Sequence, residues 1–399
     1  MVERQHNDAY YVNYADFFDG LKPAAGQEKL PLRVSGVSHR KVYETPEGPK
    51  WSCWTSLMQW PDGRLRVLFS NIEGTFDGLE KGYHWEYLTP LPKEMRRGWL
   101  SLDSADGGRS WQKQRFYDWS DSTKSLVLPA LALDNRTLLG IGGRWSTWDI
   151  EKNNYHFYGE IASVRSTDDG QTWSEPVAVN DPSHSLLVWC HPIRLSDGTV
   201  VLPAYGCLDH PDPASGTISP ATDAVLFFSS DSGRSWSAPL VVARGLPDRS
   251  NDEPEAVELA NGDILVVIRH ANPQATGAEV YLNCGQVVVR KTADGWKAGP
   301  WTTTPMGFRG FPALLRTADD VLVCAGSGNQ FNFSLDNGQT WSQTLQLGDP
   351  AVNRHNHYPR LVETAPGRVL SVYHVGNHWP YPPPEDEWIH ATELHLERV

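Results

Sequence analysis

Asn251-Asp-Glu-Pro-Glu-Ala-Val-Glu-Leu-Ala-Asn-Gly-Asp-Ile-Leu-Val-Val-Ile-Arg269 reads as one β-hairpin. The alternation Ala256-Val257-Glu258-Leu259 predicts a first strand, Asn261-Gly262 a tight turn, and the apolar run Ile264 to Ile268 a second strand. Glu253 and Glu255 open the first strand, and Arg269 closes the second. Antiparallel pairing makes those ends neighbours, so carboxylate and guanidinium are expected to meet at one rim. Taken alone, such a hairpin would be a surface feature with an exposed ion pair. Its recurrence changes the reading.

The same phrase of apolar strand, turn and apolar strand runs from Trp54 to Phe69, Leu126 to Gly140, Val188 to Leu202, Phe311 to Cys324 and Tyr358 to Val372. With residues 251–269 that makes six copies. Their spacing of roughly fifty to seventy residues is the range of propeller blades. The predicted fold class is all-β, a six-bladed β-propeller in a single domain spanning residues 1–399. Residues 1–30 read as an N-terminal arm. The stiff connector Trp379-Pro-Tyr-Pro-Pro-Pro384 leads to a strand within 385–399. Pairing that strand with residues 30–45 would remove the free edge.

Composition narrows the function classes. A formal net charge of −13 and no basic stripe argue against nucleic acid as a partner. No run of eighteen apolar residues is present, so no membrane partner is expected. The start lacks an apolar signal segment, and a cytoplasmic location is expected on that ground. The five Cys, without metal-ligand spacing, read as reduced and mostly buried thiols. No P-loop, dinucleotide fingerprint or zinc motif occurs, so no cofactor and no metal are expected. Composition leaves the oligomeric state open.

Aligning the turns places Trp54, Trp189, Glu253, Phe311 and Tyr358 at one height, with His191, Glu255 and Arg360 two residues along and Arg309 just before Phe311. The second strands end at Asn71, Arg144, Tyr205, Arg269 and His374. Aromatic, acidic, basic and imidazole groups would thus ring the axis, a set suited to a carbohydrate.

A second motif, Ser-x-Asp-x-Gly-x-Ser/Thr-Trp, runs out of phase with the first at Ser104–Trp111, Ser166–Trp173, Ser229–Trp236 and Ser334–Trp341, with a shortened copy at Thr292–Trp296. Such a turn needs Asp and Ser to bond its backbone, Gly to take a positive φ, and Trp to pack beneath it, where the four Trp are expected to be largely buried. These are Asp-box (BNR) repeats, and over residues 50–375 the chain resembles the sialidase, or neuraminidase, superfamily of six-bladed propellers. The resemblance implies structural rather than catalytic Asp residues in the boxes.

It also implies roles. Glu253 and Tyr358 match the family's Glu–Tyr pair, in which the carboxylate takes the proton of a phenol nucleophile. Arg269 matches an arginine of the substrate clamp. Asp77 matches the loop general acid, with Glu73 competing for that role. Two family arginines have no counterpart: Ser52-Cys53-Trp54 stands where the first would be and Gly326–Phe333 where the third would be. The sequence therefore predicts an exo-acting glycoside hydrolase whose terminal sugar is not sialic acid. Asp77, Glu253 and Tyr358 would be catalytic; Arg269, Arg309, Arg144, Trp54, Trp189, His191 and His374 would bind substrate. A polysaccharide lyase using His191 or His374 with Tyr358 on a uronic acid, and a non-catalytic carbohydrate-binding propeller, are the alternatives.

Overall fold

The computed structural model describes residues 30–46, 52–74, 93–118, 130–144, 160–188, 190–208, 221–272, 274–275, 282–307, 311–349, 356–376 and 388–399. Six antiparallel sheets stand around one axis. The first blade runs outward through Ser52–Gln59, Leu65–Glu73, Arg96–Ser104 and Gln112–Asp118. The second begins with Ala130–Ala132 and Leu138–Arg144, the fourth with Ser250–Glu258 and Ile264–Ala271, and the fifth with Ala313–Arg316 and Leu322–Gly326. The first strands touch around the ring: blade one meets blades two and six, and blade five meets blades four and six. This is the predicted all-β, six-bladed propeller, with no helix among the described residues.

Blade six joins the two ends of the described chain. Asn356–Ala365, Arg368–Val375 and Trp388–Arg398 are followed outward by Leu32–Glu44, which pairs with the last of them. The strand Ile264–Ile268 explains why the second strand of a blade is apolar without alternation. Its five residues are all fully buried. Ile264, Val266 and Ile268 pack toward blade three, whereas Leu265 and Val267 pack toward Leu322 and Cys324 of blade five. A strand buried on both faces needs no polar side. The core therefore lies between blades.

Blade three departs from expectation. The strand predicted from Val188 is broken into Ser185–Leu187 and Ile193–Arg194, both paired with Val200–Cys207. Pro192 lacks a backbone donor and sits in the gap.

The Ser-x-Asp turns join the third and fourth strands of blades one, two, three and five. In the first, Asp106 Oδ1 accepts from the Arg109 and Ser110 backbone N–H groups at 2.9 Å each, and the Gly108 N–H donates to Ser104 Oγ at 2.8 Å. Each turn also latches onto the preceding blade. Arg40 Nε donates to the Gly108 carbonyl at 2.7 Å, Ser163 Oγ to Gly233 at 2.9 Å, and Gln286 Nε2 to Gly338 at 2.9 Å. Tyr117 makes the equivalent bond to Gly170 at 3.2 Å. Trp341 is buried, and Trp111, Trp173 and Trp236 are partly buried. All four pack against the cores beside their turns, as expected of largely buried rings, and Trp341 lies deepest.

Candidate active site

The turns of five inner hairpins carry a residue at positive φ: Gly63, Gly198, Gly262 and Gly367, and Asp320 in blade five. Nine residues ahead of four of these turns stand Trp54, Glu253, Phe311 and Tyr358, with φ of 56°, 48°, 51° and 53°. Non-glycine residues seldom adopt this conformation, and a bulky residue there is strained. The pairing register slips at the same place, between Cys53 and Ser56, Asp252 and Glu255, and His357 and Arg360. An inner-strand bulge thus turns one side chain per blade out of the normal alternation.

Those side chains form one layer. Arg269 Nη1 lies 3.0 Å from Glu253 Oε2, and the Phe311 N–H donates to the same oxygen at 3.1 Å. The Phe311 and Tyr358 rings stack, and the Arg269 guanidinium lies over Phe311 at 5.7 Å. His374 stacks against Tyr358 at 5.5 Å, and its Nδ1 accepts the Trp54 N–H at 3.2 Å. Glu253, Tyr358 and Trp54 are all buried, while the Arg269 side chain keeps 21% of its exposure.

Two residues further along, a second layer closes the axis. Arg360 Nη1 bonds Glu255 Oε1 at 2.5 Å, and Arg360 Nε donates to the Thr55 carbonyl at 3.2 Å. The Glu255 oxygen also accepts the His191 N–H at 3.3 Å, and His191 Nε2 lies 2.8 Å from Ser56 Oγ. Blades one, three, four and six are joined through these contacts.

The electrostatics separate the groups. Burial pushes the Glu253 carboxyl up, Arg269 opposes this and Asp252 adds to it, leaving the group at about 7. Burial and then the Glu253 charge hold the Tyr358 phenol well above its usual value, against the pull of Arg269 and Arg360. Burial and the same charge raise Tyr205. Burial and Arg360 push His191 down to about 4, outweighing Glu255, so its ring is neutral at pH 7. A carboxylate that ionises near neutrality beside a phenol can take the phenol's proton; a guanidinium at the same carboxylate can hold a hydroxyl or an anion. Among the described residues no group of His, Cys, Asp and Glu is placed to hold a metal. All five Cys are free, four of them buried.

The structure brings together Glu253, Arg269, Tyr358, Trp54 and His374, and puts His191 in the layer below. Asp77, Trp189 and Arg309 lie outside the described residues, as does the Arg144 side chain; the Arg144 backbone ends its strand opposite Glu160. Glu73 does not suit the general-acid role. Partial burial raises its carboxyl, but Lys113 and Arg96 outweigh this and hold it below the usual range. Asp252 was missed by sequence reasoning. It accepts from Thr222 Oγ1 at 2.6 Å and Ser250 Oγ at 3.0 Å, and its charge acts on Glu253 and Tyr205. The adjacent acids Asp252-Glu253 were the available signal.

Comparison with known proteins agrees with this architecture. Residues 141–372 match the family described as BNR repeat-like domain. A sialidase of Bacteroides fragilis is 26% identical over 275 residues, which are 61% of this chain and 48% of that protein. The chain thus spans about half the length of that relative. Among solved structures, the Hadza microbial sialidase Hz136 superposes with a TM-score of 0.57 at 18% identity, over 90% of this chain and 68% of that one. The GH93 α-L-arabinofuranosidase of Fusarium graminearum, solved with arabinobiose, gives a TM-score of 0.60 at 12% identity, over 90% and 97%. At these identities the solved structures speak to fold alone. The hairpin repeats, the six blades and the matched span lead to one assignment: this chain belongs to the BNR repeat-like domain family and is a sialidase-like propeller.

Proposed function

We propose that the protein is an exo-acting glycoside hydrolase whose terminal sugar is not sialic acid. The observation that carries this reading is the buried layer in which Glu253, drawn to about 7, is bridged to Arg269 at 3.0 Å and acts electrostatically on Tyr358. Glu253 takes the phenol proton as the Tyr358 oxygen attacks the anomeric carbon. The bond to the aglycone oxygen breaks with its electron pair, and Asp77 supplies that oxygen's proton. Water then attacks the anomeric carbon and gives its proton to Asp77, while the departing Tyr358 oxygen recovers its proton from Glu253. Arg269 holds a hydroxyl of the sugar, and Trp54 forms a wall of the pocket.

Two features support a sugar without the sialic carboxylate. Cys53 is fully buried where a clamp arginine would stand, and Gln330–Ser334 forms a buried strand where another would stand. Among the described residues the guanidinium groups that act on Tyr358 are Arg269 and Arg360, each already paired with a glutamate. Loss of two bidentate clamps would weaken carboxylate binding by several kcal/mol, on the order of 1.5–3 for each charged hydrogen bond. The arabinofuranosidase among the structural neighbours makes aryl α-L-arabinofuranosides the first probe. The buried histidines count against the lyase alternative, since His374 Nδ1 already accepts the Trp54 N–H and His191, pushed down to about 4 by burial and Arg360, is a weak base.

The test is turnover on a panel of aryl glycosides, an aryl sialoside and uronate oligosaccharides, the last followed for unsaturated product. Hydrolysis of an uncharged glycoside well above the sialoside is expected. Tyr358→Phe and Glu253→Gln should each lower turnover by roughly a hundredfold or more, and the double variant should lose little beyond either. Near wild-type turnover by Tyr358→Phe, or faster turnover of the sialoside, would defeat the proposal.

A further inference from the structure

The lower layer is costly for a merely structural feature. Glu255 and Arg360 keep 6% and 5% exposure, and apolar packing stabilises such a site at least as well as a buried ion pair. The layer is also wired to the residue above it. Arg360 Nε donates to the Thr55 carbonyl at 3.2 Å, while Thr55 Oγ1 donates to the Tyr358 carbonyl at 2.5 Å. Tyr358 is a left-handed residue, at φ 53°, two positions ahead of Arg360 on the same strand.

Resting on the reading of Tyr358 as nucleophile, we propose that Arg360 is its positioning residue. Held by Glu255 and Thr55, Arg360 fixes the left-handed backbone of Tyr358 and sets a buried positive charge near its phenol. Glu255 is the counter-charge that keeps this cation in place and moderates it. The groups facing Tyr358 are Glu253 and Arg269 of blade four, Cys53 of blade one, Tyr205 of blade three, Phe311 of blade five, and, in its own blade, Arg360 and His374. Arg269 and Arg360 are the cations among them, and both pull the phenol down against burial and Glu253. Arg269 is tied to Glu253 itself, which leaves Arg360 as the cation whose partner lies outside the reacting pair.

The two members of the lower pair must then act on Tyr358 with opposite sign, which a scaffold role would not produce. The test labels the protein with 3-fluorotyrosine and follows ¹⁹F resonances against pH. The chain has 14 Tyr, and the Tyr358 signal is the one missing from Tyr358→Phe. Glu255→Gln should lower the Tyr358 titration midpoint and Arg360→Gln should raise it, each by about one pH unit. Arg360→Lys keeps the charge and should return the midpoint toward wild type. Midpoints that stay put, or move the same way in both variants, overturn the proposal. If Arg360→Gln fails to fold, Glu255→Gln decides alone: a downward shift supports the proposal and an unmoved midpoint refutes it. Undiminished turnover by Tyr358→Phe would remove the nucleophile reading yet leave the titration result standing, so the two failures are distinguishable.

Discussion

The titration of Glu253 near neutrality has a consequence for stability that needs no substrate. Its carboxyl moves from the ordinary 4.5 to about 7 in the folded protein, because burial outweighs the help of Arg269. A carboxyl with a raised folded pKa binds its proton more tightly when folded. Relative to the protonated protein, stability is therefore intact below pH 4.5, falls between 4.5 and 7, and is flat above. The loss comes to about 3 kcal/mol across that window, at roughly 1.4 kcal/mol per pH unit. For 399 residues, an unfolding entropy of about 2.1 cal/mol/K per residue makes this roughly 4 °C in Tm. Other groups titrate over the same range, so the quantity to measure is the Tm difference between wild type and Glu253→Gln. Glutamine carries no titrating proton, and the common background cancels. The wild type should lose about 4 °C relative to the variant between pH 4.5 and 7.5, with the change centred between 5 and 7. Parallel Tm curves across the window would show that Glu253 does not carry a raised pKa, and the proposed base for Tyr358 would go with it.

Three further outcomes are expected. On any glycoside the protein hydrolyses, kcat/KM should fall about tenfold per pH unit below about 7 as Glu253 protonates, and Glu253→Gln should lack that limb. Trp341→Ala, which empties a buried site, should cost roughly 3–5 kcal/mol in denaturant melts, and Trp111→Ala, at a partly buried site, clearly less. Gly233→Ala should cost roughly 2–4 kcal/mol, because φ is +81° and the new Cβ would meet Leu139 Cδ1 at 2.5 Å; an unchanged melt would contradict the latch between blades two and three.

Much of this was legible in the sequence because a closed ring of equivalent hairpins converts sequence position into height. The offset from the turn placed Trp54, Glu253, Phe311 and Tyr358 in one layer, and the structure finds each of them at a positive φ. It placed His191, Glu255 and Arg360 in the next, where they are in contact. The bulge itself was not legible: periodicity reports which face a strand residue takes, and an inserted residue breaks the period it is read from. Nor was the choice of partners. Carboxylate and guanidinium were expected to meet at one rim; Arg269 pairs with Glu253, while Glu255 pairs with Arg360. Glu253 lies within the register slip between Asp252 and Glu255, whereas Glu255 resumes regular pairing after it, which gives the two acids different outlooks.

The four left-handed residues bear on what the site is for. Each such residue costs about 1–3 kcal/mol and persists only where its surroundings over-determine it. Those surroundings are specific. The Trp54 N–H is spent on His374, the Phe311 N–H on Glu253, and the Tyr358 carbonyl on Thr55. A propeller does not need this strain to close, because ordinary pairing continues on both sides of the slip in blades one, four and six. What the bulge supplies is a change of direction for one side chain in each of blades one, four and six. In blades four and six that side chain is a carboxylate and a phenol, which in an unbroken strand would follow the regular alternation with their neighbours. The strain is localised where the strands of different blades present dissimilar chemistry to one another, and glycine is absent from all four positions although it would relieve the backbone. Retaining Trp, Glu, Phe and Tyr at positions suited to glycine is intelligible if these side chains meet a ligand, in addition to the core packing that Trp54, Tyr358 and Phe311 share.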